Sequence, residues 1–127
     1  MLQRGDAVSH FDVVTVGGRP FKYSAIWQRK NLVLIALEPE ASEASERYIS
    51  QVTPRMPVIG SDDTECVITR EAVPGLPAPA VLVADRWGEI VYSAAASDVA
   101  NLPSSDELFD WLRFVQTTCP ECEGEAK

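Results

Sequence analysis

The sequence predicts a three-layer α/β fold, in which a mixed central β-sheet is flanked by helices. Residues 32–37 form an unbroken apolar run, which is typical of a strand buried on both faces of a sheet. A helical pattern follows directly, and two apolar segments at residues 80–84 and 89–93 read as a hairpin. A strand buried on both faces needs helices packed over the sheet.

Composition and charge narrow the class of protein. The chain has 127 residues, enough for one domain with a core of its own. No stretch approaches the ~20 apolar residues of a membrane span, and no apolar signal core is present, so we expect a cytoplasmic protein without membrane contact. The formal net charge is -8 and the basic residues are scattered, which argues against nucleic acid as a partner.

The first elements are expected to be short. Residues 10–16 alternate loosely as a strand, and Gly17-Gly18 offers a turn into a pairing strand over residues 19–23. Ser24 is then predicted to cap a short helix over residues 25–29, whose Trp27 packs inward.

The helix after the buried strand opens with Ser42-x-x-Ser45. Spacings of three and four residues place one face inward, formed by Ala41, Ser45, Tyr48, Ile49 and Val52. Ser42 therefore lies near the exposed N-terminus, where its hydroxyl can cap the helix. The helix ends at Thr53-Pro54, and residues 57–60 (PVIG) are predicted to be the parallel partner strand of a βαβ unit.

The second half of the chain is predicted less completely. Residues 66–69 (CVIT) fit either a short strand or one helical turn. The hairpin turns about residues 85–88 (DRWG), where Gly88 suits a positive φ. Ser104-x-x-Glu107 is a capping box for a last helix, whose apolar stripe consists of Leu108, Trp111, Leu112 and Val115.

These stretches together resemble the thioredoxin-like superfamily, in its peroxiredoxin-like (AhpC/TSA, redoxin) branch. That family places Cys-x-x-Cys at the start of a helix after a buried strand, and Ser42 and Ser45 fall on the two cysteine positions. Residues 2–11, 18–24 and 75–91 resemble the family's opening, the segment before its first helix, and its proline, strand, D-x-x-G turn and strand. The resemblance implies a thioredoxin-like domain over residues 1–116, followed by an acidic tail over residues 117–127.

The resemblance also implies a degenerate site. A helix N-terminus lowers the pKa of the family's first cysteine, whereas serine neither ionises usefully nor forms a disulfide. Pro79 matches the proline that is cis in thioredoxins, and a cis bond there leaves the preceding backbone exposed for pairing with an extended peptide. A hydrolytic role for Ser42 would need a base, and the only histidine, His10, has no motif that links it to this position.

The three cysteines leave several alternatives open. Cys119 and Cys122 form a C-P-E-C pair that suits a reversible disulfide, or half of a zinc site completed by a second chain in a homodimer, or a silent tail. The last helix would carry this pair ~15–20 Å away from Ser42. Cys66 is most simply a partly buried apolar residue, and a lone reactive thiol near the active-site end is its alternative role.

The leading hypothesis is a redoxin-family protein without the standard catalytic cysteines, which binds a peptide or partner protein in the groove beside Ser42 and Pro79. One alternative is a thiol-disulfide oxidoreductase or antioxidant protein that uses Cys119 and Cys122. The other is a zinc-binding module, dimeric in one form, that uses the same two cysteines.

Removing residues 117–127 should leave the domain folded. The apolar stripe of the last helix ends by Val115, and a disulfide or metal at Cys119 and Cys122 closes a loop too small to constrain the unfolded chain. Thermal unfolding of the truncated chain, reduced and stripped of metal, should give a Tm within about 4 °C of the full chain. A much larger drop would show that the tail packs on the core.

Overall fold

The fold is built on a four-stranded mixed sheet. A computed structural model of the protein describes residues 3–55 and 63–117. Its elements in chain order are β1 (Asp12–Val14), β2 (Pro20–Lys22), β3 (Asn31–Ala36), α1 (Glu43–Val52), β4 (Thr64–Thr69), β5 (Ala80–Ala84), β6 (Ile90–Ala95) and α2 (Ser105–Thr117). The sheet order is β4-β3-β5-β6, with β4 parallel to β3 and β5 antiparallel to both β3 and β6. β1 and β2 form a separate antiparallel hairpin.

β3 is the centre of the sheet and is buried along its whole length. On one face, Leu32 and Leu34 pack in a cluster with residues of the β1-β2 hairpin and its neighbouring loops. On the other face, Val33 and Ile35 pack in a second cluster with residues of α1 and α2. The predicted mixed sheet with flanking helices is therefore confirmed.

α1 packs on the sheet through four of the five residues that its spacing predicts. Ser45, Tyr48 and Val52 are buried, and Ile49 is partly buried, whereas Ala41 is exposed because the helix begins only at Glu43. The Tyr48 hydroxyl donates a hydrogen bond to the carbonyl oxygen of Pro103, 2.7 Å away, and burial raises the pKa of this phenol. α1 is therefore fixed both to the sheet and to the segment that leads into α2.

α2 begins where the sequence predicts. Its N-terminus is capped by Ser104, whose hydroxyl accepts a hydrogen bond from the Glu107 N–H at 3.3 Å. Leu108 and Leu112 are fully buried, and Trp111 stacks on Tyr92 with ring centroids 4.8 Å apart. No helix within the described part of the chain is long and apolar enough to cross a membrane.

The parallel partner of β3 differs from the prediction. β4 pairs with β3 from Asn31↔Thr64 to Ala36↔Thr69, and β5 occupies the opposite edge of β3. Residues 57–60, which the sequence favours as the partner, are therefore not that strand, and they lie outside the described residues. The CVIT segment, ambiguous in the sequence, belongs to β4 and is a strand.

The predicted short helix after β2 is also wrong. The chain forms a 3₁₀ turn over Tyr23–Ala25, preceded by Lys22 rather than capped by Ser24. Trp27 does not pack inward: it is 40% exposed, and its indole N–H donates to the Trp87 carbonyl oxygen at 3.3 Å. The indole ring is amphipathic, so its N–H can be satisfied at the surface while one edge covers the turn.

The β5-β6 hairpin turns as predicted at residues 85–88. The Asp85 carboxylate accepts hydrogen bonds from the N–H groups of Trp87 and Glu89, both at 2.9 Å. Gly88 has a φ of +85°, and a Cβ atom there would lie 3.1 Å from the Tyr23 hydroxyl and 3.3 Å from Trp27 Nε1. Both the backbone angle and the close packing thus require glycine.

Gly88→Ala should destabilise the domain more than Gly18→Ala does. Gly18 has a similar φ of +86°, but a Cβ atom added there would have nothing within 4 Å, so its substitution costs only the left-handed backbone, about 1–2 kcal/mol. Gly88→Ala adds crowding against two rings, roughly 1–3 kcal/mol more. Urea unfolding of both variants measures the difference, and equal losses would contradict this packing.

Candidate functional site

Three predicted site residues, Ser42, Ser45 and Pro79, line one cavity of about 300 Å³ at the carboxyl end of β3. We call this cavity the site groove. Its walls are residues 37–45, which run from the end of β3 into α1, and residues 97–99, which follow β6. The resemblance to redoxins implies that these three residues share one site, and in the structure they line the same cavity.

Ser42 and Ser45 form a reciprocal capping box at the start of α1. The Ser42 hydroxyl oxygen accepts a hydrogen bond from the Ser45 N–H at 3.1 Å, and the Ser45 hydroxyl oxygen accepts one from the Ser42 N–H at 3.0 Å. The Ser45 hydroxyl also donates to the Ser42 carbonyl oxygen at 3.0 Å. The predicted cap at Ser42 is confirmed, and both hydroxyls contribute to holding the first turn of the helix.

Arg70, which follows β4, holds the groove wall together. Its Nη2 donates to the Ser45 hydroxyl at 2.9 Å and to the Glu46 carboxylate at 2.8 Å. Its Nη1 donates to the carbonyl oxygens of Glu38 and Glu40 at 3.1 and 3.3 Å. One guanidinium thus fixes the loop after β3 against the start of α1, and it completes the hydrogen-bonding capacity of the Ser45 hydroxyl.

Pro79 forms the floor of the groove. It is buried, the Ala78–Pro79 peptide bond is cis, and the Pro79 carbonyl oxygen accepts the Ala96 N–H at 3.1 Å. Ala78 is exposed, and its backbone N–H and C=O form no hydrogen bond with any residue that the structure describes. The groove therefore presents a free main-chain donor and acceptor beside its floor.

The lining of the groove is acidic. Glu38, Glu40 and Asp98 line it, and no lysine or arginine of the described residues does. None of the three carboxylates forms a salt bridge within residues 3–55 and 63–117. Asp98 also accepts a hydrogen bond from the Ala100 N–H at 2.9 Å, which fixes its wall.

The sequence did not predict that Arg70 and the acidic residues of the lining belong to the site. Arg70 lies directly after β4, a strand that the apolar pattern does not identify, and its contacts are 24 to 32 residues away in the chain. Glu38 and Glu40 did carry a signal, because charged residues directly after a buried parallel strand lie where α/β sheets bind ligands.

His10 is far from the groove. Its ring lies 5.6 Å from the Tyr23 ring and 5.2 Å from the Trp27 ring, and Tyr23 and Trp27 surround Gly88 in the hairpin turn. That turn follows the end of β5 opposite to Pro79. His10 therefore cannot act as a base on Ser42, which argues against a hydrolytic role for this serine.

Cys66 lies inside β4. The alternative role of a reactive thiol near the active-site end required this residue to follow a strand, and it does not. It is 4% exposed, and burial raises the pKa of its thiol to about 12. Cys119 and Cys122 lie outside the described residues. Within the described residues, no group of three or more His, Cys, Asp or Glu side chains is arranged to hold a metal ion.

Comparison with known proteins identifies relatives in structure only. The sequence matches no protein-family model and no curated protein. The fold is similar to the reduced 2-Cys peroxiredoxin of Plasmodium vivax, with a TM-score of 0.71, 10% identity, and coverage of 91% of this chain and 83% of that one. It is equally similar to a yeast mitochondrial 1-Cys peroxiredoxin, with a TM-score of 0.71, 12% identity, and coverage of 98% and 80%.

A thioredoxin-family thiol:disulfide interchange protein from Chlorobium tepidum is also similar, with a TM-score of 0.63, 13% identity, and coverage of 91% of this chain and 99% of that one. At identities this low, the similarity establishes fold and not activity. The protein has an α/β thioredoxin-like fold.

Arg70→Gln should destabilise the protein by about 1–3 kcal/mol, since it leaves the Ser45 hydroxyl and two loop carbonyls with fewer partners. Arg47→Gln is the matched control, because among the described residues Arg47 pairs with Glu43 alone, at 3.3 Å on the exposed side of α1. That change should cost no more than ~0.5 kcal/mol. Urea unfolding measures the free energy of unfolding of both variants. Equal losses would mean that Arg70 stabilises the fold no more than an exposed arginine does.

Cys66 should be unreactive in the folded protein. With its pKa raised from 9.0 to about 12, the thiolate fraction near pH 8 falls about a thousandfold below that of an ordinary thiol. A chromogenic disulfide reagent, applied to the Cys119→Ser plus Cys122→Ser variant, should modify Cys66 only after denaturation. Rapid modification of the native variant would contradict the burial of this thiol.

Proposed function

We propose that this thioredoxin-fold protein lacks the standard catalytic cysteines of redoxins and binds an extended segment of a partner protein in the site groove. One observation carries the proposal. Ser42 and Ser45 fall on the two positions where redoxins carry cysteines. Here they form a helix cap, hydrogen-bonded to each other, and Ser45 is also hydrogen-bonded to Arg70. In this proposal the two positions serve structure rather than thiol chemistry.

The chemistry of the serines supports this role. Thiol-disulfide exchange and peroxide reduction both begin with attack by a thiolate, which a hydroxyl near neutral pH cannot supply. The Ser45 hydroxyl already donates one hydrogen bond and accepts from both the Ser42 N–H and Arg70. No histidine of the described residues lines the groove to activate Ser42 instead.

The free backbone beside the floor supports peptide binding. An extended peptide that pairs with the Ala78 N–H and C=O would add a short strand segment and satisfy both groups. The cavity of about 300 Å³ lies at the lower end of the range for ligand sites, and it suits one or two side chains of such a peptide. The similarity to peroxiredoxins and to a thiol:disulfide interchange protein supports a partner from thiol and redox biology.

Cys119 and Cys122 carry the second candidate function, a redox pair or zinc ligands, which stays a prediction of the sequence alone. Thiol titration with and without reductant distinguishes a disulfide from free thiols. Metal analysis of the untagged protein tests the zinc site.

The purified protein should show negligible disulfide reductase and hydroperoxide reductase activity. Position 42 has no thiolate, so the groove cannot begin either reaction. The Cys119→Ser plus Cys122→Ser variant separates the groove from the C-terminal pair. Turnover that survives in this variant would overturn the non-catalytic role, whereas turnover lost in it would assign the activity to the pair.

Ser97→Trp should abolish peptide binding, because the new ring would fill the groove from its exposed wall. Ala100→Trp is the matched control, since Ala100 is exposed nearby but does not line the groove. Binding of both variants to an array of random octapeptides, compared with the unchanged protein, provides the test. Equal binding by all three proteins would place the bound peptides elsewhere.

A further inference from the structure

We propose that the site groove selects an extended peptide that carries lysine or arginine, an inference that rests on the proposed peptide-binding function. The two walls of the groove contribute the selectivity. Glu38 and Glu40 come from the loop after β3, and Asp98 comes from the opposite wall after β6. A peptide seated over Pro79 would pass between carboxylates on both sides.

Within residues 3–55 and 63–117 the carboxylates of the two glutamates form no salt bridge, and Arg70 binds the main chain of both residues rather than their side chains. Its Nη1 donates to the Glu38 and Glu40 carbonyl oxygens at 3.1 and 3.3 Å. The arginine therefore positions the loop without neutralising its side chains. On the other wall, the Asp98 Oδ1 accepts the Ala100 N–H, which leaves its negative charge without a salt bridge among the described residues.

The partial positive charge at the N-terminus of α1 is too small to offset the negative charge of the groove lining. A helix N-terminus is equivalent to about +0.5 charge. The Ser45 N–H that would bind an anion is already capped by Ser42 at 3.1 Å. Glu46, in the first turn of α1, forms a salt bridge with Arg70 at 2.8 Å, so the charges of Glu46 and Arg70 offset each other. Glu38, Glu40 and Asp98 are therefore the charged side chains that line the groove among the described residues, and none of them is neutralised by a salt bridge there.

A peptide fits this pattern better than a metal ion does. The structure shows no metal-binding arrangement among the described acidic residues. The exposed Ala78 N–H and C=O, in contrast, can pair with a ligand that carries both a main-chain donor and a main-chain acceptor. Alternate side chains of an extended peptide point the same way, so lysine or arginine at alternate positions can reach the carboxylates while the main chain pairs with Ala78.

Three sets of fluorescent octapeptides test the inference by anisotropy: Lys/Arg-rich, neutral and Glu-rich, with matched apolar residues. The groove variant is Glu38→Gln, Glu40→Gln and Asp98→Asn together. Its control is Asp12→Asn, Glu89→Gln and Asp110→Asn, which changes the net charge equally at exposed positions outside the groove. Ser97→Trp, which blocks the groove, shows whether a bound peptide occupies it.

We expect the basic set to bind tightest, to weaken with salt, and to weaken about tenfold in the groove variant but about twofold or less in its control. Equal affinity for all three sets, abolished by Ser97→Trp, would overturn the charge selection and leave the proposed function standing. Weakening by both triple variants alike, or no effect of Ser97→Trp, would show diffuse attraction and overturn the inference. Binding by none of the sets would overturn the proposed function itself.

Discussion

The complete burial of β3 is the constraint on which the rest of the structure depends. All six of its residues are buried, and both of its edges are hydrogen-bonded, to β4 and β5. Two faces must therefore be covered, which the β1-β2 hairpin does on one side and α1 with α2 on the other. Because the chain can leave β3 only at its carboxyl end, the loop at residues 37–42 and the start of α1 meet Pro79 there.

At that meeting point, polar groups replace the apolar contacts that stabilise the core. A loop that leaves a buried strand exposes carbonyl groups, and a helix N-terminus leaves N–H groups without partners. Ser42 and Ser45 satisfy the helix, and Arg70 satisfies the carbonyls of Glu38 and Glu40. One polar network therefore links three segments of the chain at the groove: the loop after β3, the start of α1 and Arg70 after β4.

The sequence predicts those parts of the structure that local patterns determine. β3 follows from its unbroken apolar run, and the cap of α1 follows from Ser42-x-x-Ser45 ahead of a helical pattern. β4 stays ambiguous in the sequence because its apolar run is short and the strand begins and ends with buried threonines, Thr64 and Thr69, at 1% and 0% exposure. The Thr69 hydroxyl is satisfied by the Val14 carbonyl oxygen, 55 residues earlier in the chain, and no local pattern reveals such a partner.

The same distinction between local patterns and distant contacts applies to the site and to Trp27. Pro79 is recognisable because a D-x-x-G turn and a strand follow it, whereas the role of Arg70 depends on contacts that only the parallel pairing of β3 and β4 brings near. Hydrophobicity alone places Trp27 inside, but its indole N–H bonds to Trp87, 60 residues later, at the surface.

The electrostatics of the groove connect the fold to its proposed use. A thiolate site gains from a helix N-terminus with free N–H groups and from nearby positive charge. Here Glu38, Glu40 and Asp98 line the same groove as Ser42, and the described residues contribute no lysine or arginine to that lining. An anion at position 42 would be opposed by the very residues that would attract a lysine or arginine. The proposed preference for a cationic peptide thus rests on carboxylates from two segments, the loop after β3 and the wall after β6, and not on the two serines.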